Sequence, residues 1–107
     1  MSTITNRLQI KPKTLRRIQR HFAHAPYYEL VQVEHQLGRI VGAVAYGEHY
    51  AEFVGTLYTH DRVREITGRV ARDTGDVTVD GLEGIEDGEL LATVARMVRR
   101  AIAGGGQ

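Results

Sequence analysis

At 107 residues, 42% hydrophobic and 25% charged, the chain suits one globular domain burying about 65% of its unfolded surface, which excludes wholesale disorder. The absence of cysteine excludes disulfide frameworks, thiolate metal sites and thiol nucleophiles, and fits a reducing cytosol. The net charge of +1 hides a segregation: all 13 acids lie between Glu29 and Glu89, whereas the flanking segments are purely basic.

In chain order, Ile4, Asn6, Leu8 and Ile10 are spaced by two, which predicts a short strand ended by Pro12. Lys13 to about Ala23 reads as a helix opened by Pro12, with Leu15, Ile18 and Phe22 on one stripe. Arg16, Arg17 and Arg20 fall on and beside the other face.

Residues 27–58 carry two conflicting signals. Leu30, Val33, Leu37, Ile40, Val44, Gly47, Ala51, Val54 and Tyr58 repeat at three and four, as in a long helix. The same stretch contains Gly38, Gly42, Gly47 and Gly55, each costing a helix interior about 0.8–1.0 kcal/mol relative to alanine. It is also rich in the β-branched and aromatic residues that suit a pleated surface. Glycine decides for three short antiparallel strands at about 27–35, 39–46 and 49–58.

From Thr59 the spacing of Val63, Ile66 and Val70 predicts a helix, capped by Thr59 or His60 and ended near Gly75. Val77 and Val79 alternate in a short strand or extended loop, followed by a turn through Gly81 and Gly84. Asp87 then caps a last helix to about Ala103, with Leu90, Leu91, Val94, Val98 and Ile102 inward and Arg96, Arg99 and Arg100 near its end. The expected architecture is α+β: a short N-terminal strand and basic helix, a three-stranded antiparallel meander, and two C-terminal helices. An all-α helical bundle is the competing arrangement. Residues 1–103 form a single small domain, and 104–107 a disordered glycine-rich tail.

No apolar run reaches the roughly 18 residues of a membrane span, and the N-terminus has no apolar core of a secretory signal. A cytoplasmic protein without membrane attachment is expected. The basic opening is the leading functional feature. Lys11, Lys13, Arg16, Arg17 and Arg20 provide cations that neutralise phosphates and release counterions, and arginine adds bidentate contacts. That points to a small non-enzymatic protein contacting DNA or RNA. The charge segregation equally suits a protein-interaction module, pairing with itself as a homo-oligomer or with another protein.

Other chemistry is thinner. His21 and His24 lie one turn apart on a helix but do not make the three or four ligands zinc requires, so no metal and no cofactor are expected. Asp73, Asp76, Asp80 and Glu83 lack the spacing of a calcium loop and read as a solvated acidic segment. His60, Asp61 and Arg62 cluster at the junction between the third strand of the predicted meander and the next helix, where an imidazole serves as acid or base. Phe53-Val54-Gly55-Thr56, followed by His60 and Asp61, resembles the final strand of small bacterial RNA-cleaving toxins of the HigB type. That resemblance implies a small ribonuclease as a third function, with His60 the residue to test.

Overall fold

The computed structural model describes residues 8–25 and 27–105. Helix α1 (Pro12–His21) is followed by strands β1 (Glu29–His35), β2 (Gly38–Tyr46), β3 (Tyr50–Thr59), β4 (Val63–Ala71) and β5 (Val77–Asp80), then helix α2 (Gly88–Gly105). The five strands form one antiparallel sheet in sequence order. The two helices lie on opposite faces: α2 packs on Ile40, Val44, Phe53, Leu57 and Ile66, whereas Ile18 of α1 and Phe22, its C-terminal cap, pack on Val41, Ala43 and Val54.

The class is α+β, but the expected three-stranded meander is a five-stranded sheet, and only one helix follows it. The all-α alternative is overturned as well. Val63 to Ala71 is a strand: Ile66, Gly68 and Val70 share the α2 face, whereas Val63 is exposed. The three-and-four spacing that suggested a helix there is a coincidence of Val63 and Val70 with Ile66. Val63, Ile66, Thr67 and Val70 are all β-branched, and Gly68 opposes helix as the glycines of 27–58 do. Thr59, expected to cap that helix, closes the β3–β4 turn instead, its N–H donating to the Arg62 carbonyl at 2.9 Å. The predicted strand through Ile4–Ile10 lies mostly outside the described residues, and Leu8 to Ile10 form no strand.

The misleading periodicity in residues 27–58 has a similar origin. A sheet covered on one face alternates apolar and polar residues, but β2 and β3 are covered on both. Their apolar residues therefore run on: Ile40, Val41, Ala43, Val44 and Ala45 are all buried.

Helix α2 touches every strand. Its Arg96 lines one groove with Val33 and His35 of β1 and another with Asp76 and Val77 at the start of β5, so the sheet curls round the helix. Gly68 permits this closeness: a Cβ there would come within 2.5 Å of Val98 Cγ1. Gly81, at φ 102°, turns the chain against the Glu65 carbonyl of β4. Asp87 caps α2 as expected, its Oδ1 accepting the N–H groups of Glu89 and Leu90 at 3.0 and 3.2 Å. No helix among the described residues is long and apolar enough to cross a membrane.

Candidate anion-binding surface

Pro12 opens α1, and the turns that follow put Thr14, Ile18 and then Phe22 against the sheet. Three- and four-residue steps then leave Lys13, Arg16 and Arg20 along the outer face. Arg16 and Arg20 make no side-chain hydrogen bond or ion pair among the described residues. Lys13 reaches Glu65 at 3.8 Å, with the lysine side chain 81% exposed, a geometry that contributes little.

Arg17 is placed differently. Its Nη1 donates to the Gly55 carbonyl at 2.8 Å, and its Nη2 to the Ile66 carbonyl and Thr67 Oγ1, both at 3.0 Å. Its Nε lies 4.0 Å from Glu65 Oε2. The guanidinium thus bridges β3 and β4, and beside it the Thr14 and Thr56 hydroxyls share a buried hydrogen bond of 3.0 Å. Three of the five expected cations, Lys13, Arg16 and Arg20, share one open stripe; Arg17 faces the sheet.

Lys11, just before the helix, leads away from that stripe to the end of the sheet. Its Nζ lies 5.9 Å from the Tyr58 ring centroid, and Arg39 Cζ lies 4.3 Å from the same centroid. Arg39 and Tyr58 are register partners across β2 and β3. The ring therefore joins the helix cations to a sheet cation, each attracted by its negative face. Arg39 stands opposite Glu34 in the register yet forms no ion pair with it among the described residues. Arg39 and Tyr58 also line an open concavity of about 620 Å³, shared with His35 and His60. Sequence reasoning missed Arg39, which lies within the segment that holds all the acids.

His60 sits exposed in the β3–β4 turn. Its neighbours are committed to the turn: Thr59 Oγ1 lies 3.2 Å from Asp61 Oδ1, and Arg62 Nε 3.6 Å from the same oxygen. At the other end of α1, His21 Nε2 lies 3.3 Å from Glu52 Oε2, and Arg69 Nε approaches that oxygen at 3.6 Å. His21 therefore turns toward a carboxylate on the sheet. Among the described residues no group of three or more histidine, aspartate or glutamate side chains could hold a metal ion. The acids expected in one loop are divided, with Asp80 in β5 and Glu83 beyond it.

Comparison of the chain with protein-family models, with curated proteins and with solved structures returned no match in any of the three.

Proposed function

We propose that the protein is a non-enzymatic nucleic-acid-binding module of the cytoplasm that grips the phosphate backbone through α1 and the adjoining end of the sheet. The observation that carries this reading is the continuity of Arg20, Arg16, Lys13 and Lys11 with Arg39 across the Tyr58 ring. From Lys13 to Arg20 the stripe covers about 10 Å of helix. DNA places one phosphate per about 3.4 Å of rise on each strand, so that length meets several. Arg17 has a supporting role: by holding α1 across two strands, it fixes the direction in which Arg16 and Arg20 project.

Such contacts recognise charge and spacing, not base sequence. Fluorescence anisotropy with labelled single-stranded and duplex oligonucleotides tests the reading. The logarithm of affinity should fall linearly with the logarithm of salt concentration. Replacing Arg16 and Arg20 together with glutamine should weaken binding at least tenfold and reduce the salt slope by about two, one per lost phosphate contact. A parent protein that binds neither oligonucleotide at low salt, or a double variant that binds as tightly, overturns it.

A further inference from the structure

The two edges of the sheet are unequal. β5 is a four-residue strand bounded by Gly75 and Gly81, too short to template much pairing. β1 has seven residues, pairs with β2 without a bulge, and carries neither proline nor lysine. Natural proteins use those devices to blunt an exposed edge.

The direction of the β1 backbone groups follows from the ladder. The Gly47 N–H donates to the Tyr50 carbonyl at 3.0 Å, so Gly47 faces β3. Successive residues alternate, hence Gly38, Ile40, Gly42 and Val44 of β2 face β1. Their register partners are His35, Val33, Val31 and Glu29. Leu30, Gln32 and Glu34 therefore turn their N–H and C=O groups outward, away from the sheet.

We propose that this edge pairs with β1 of a second copy, antiparallel, about a two-fold axis through Gln32. Gln32 then exchanges both backbone hydrogen bonds with the partner's Gln32, and Leu30 does so with the partner's Glu34. On the α2 face Val31 meets the partner's Val33, extending the apolar layer under each helix across the seam. Glu29 meets the partner's His35, and this pairing selects the register. His35 Nδ1 accepts the Leu37 N–H at 3.1 Å, which leaves Nε2 to donate to an incoming carboxylate. His35 also lines a groove of about 240 Å³ whose floor includes Val33 and Met97 and whose rim carries Arg96, Arg100 and Glu34. Arg96 donates within its own helix to Thr93 Oγ1 at 3.1 Å; Arg100 has no such partner among the described residues. The groove thus offers three basic groups, the Glu34 carboxylate lying on the other face of the strand beside the Gln32 amide, and the register delivers the partner's Glu29 beside the groove. An axis perpendicular to the sheet keeps both α1 helices on one side, doubling the cationic stripe on a single surface.

The test needs no nucleic acid, so its outcome is separate from that of the binding reading. Light scattering should give twice the 11.9 kDa chain mass. Hydrogen-bonded antiparallel partners have Cα atoms about 5.5 Å apart, inside the disulfide range of about 4.4–6.8 Å. Mild oxidation should therefore cross-link the Gln32→Cys variant into covalent dimers, but not a Thr78→Cys control on β5. Glu29→Arg should weaken the dimer at least tenfold with unchanged circular dichroism, and Arg16→Gln/Arg20→Gln should leave it intact. A monomer at every concentration overturns the proposal, as does a dimer that cross-links through Thr78→Cys and not through Gln32→Cys.

Discussion

The two faces of the sheet hold their helices by different means. Against α2 the contact is apolar: Ile40, Val44, Phe53, Leu57 and Ile66 meet Val94 and Val98, all fully buried. Against α1 the apolar contribution is smaller, and polar groups share the contact. Thr14 and Thr56 hydrogen-bond in its interior, and Arg17 satisfies two strand carbonyls. A hydrophobic contact is non-directional and tolerates sliding, whereas hydrogen bonds of defined geometry do not. The α2 face thus provides most of the stability, and the α1 face fixes the position of a helix whose outer side is cationic.

The largest effect should come from breaking the apolar side. Phe53→Ala removes a fully buried ring and should cost about 3–5 kcal/mol in urea unfolding, a large share of a small domain's stability. On the polar side, Arg17→Gln leaves strand carbonyls without their donor and should cost about 1–3 kcal/mol. Arg17→Lys should recover only part of that, because one ammonium cannot reproduce the planar fork. If Arg17→Gln unfolds the protein as Phe53→Ala does, the division of labour between the faces is wrong.

The smallest effect concerns the far end of the sheet, where the Tyr46 hydroxyl donates to the Ile102 carbonyl. Burial, with the negative charge of Glu29 and the neighbouring Tyr27 adding to it, raises the Tyr46 pKa above its ordinary 10.0. The folded state therefore favours the neutral phenol. Its contribution is fully present below the unfolded value and is lost as pH rises through the folded one. Stability above about pH 10 should decline less steeply in Tyr46→Phe than in the parent, as followed by denaturant melts across that range.

Much of the fold was legible where local and tertiary preferences agree. Pro12 opens α1 and Asp87 caps α2 because each satisfies the first turn chemically, whatever packs on it. Glycine correctly separated β1, β2 and β3 from a helix of the same periodicity. The same argument at Gly68 would have identified β4, but the Val63, Ile66 and Val70 spacing outweighed it. Of the basic residues, Arg16 and Arg20 were assigned to the outer face of a helical wheel, where they lie. Arg17 also looked like an outer residue, yet it lies one turn after the buried Thr14, whose inward position appears only once Thr56 is seen opposite. Arg39 and Tyr58 are 19 positions apart in sequence, and no local signal joins them. Their meeting depends on a register counted from the Gly47 turn.

The sheet runs β1 to β5 with every strand beside its chain neighbour, so each hairpin can form with short loop closure as synthesis proceeds. The helix that fills the concave face comes last. Until it emerges, the nascent sheet displays Phe53, Leu57 and Ile66 to the solvent, a sticky intermediate of the kind that chaperones shield.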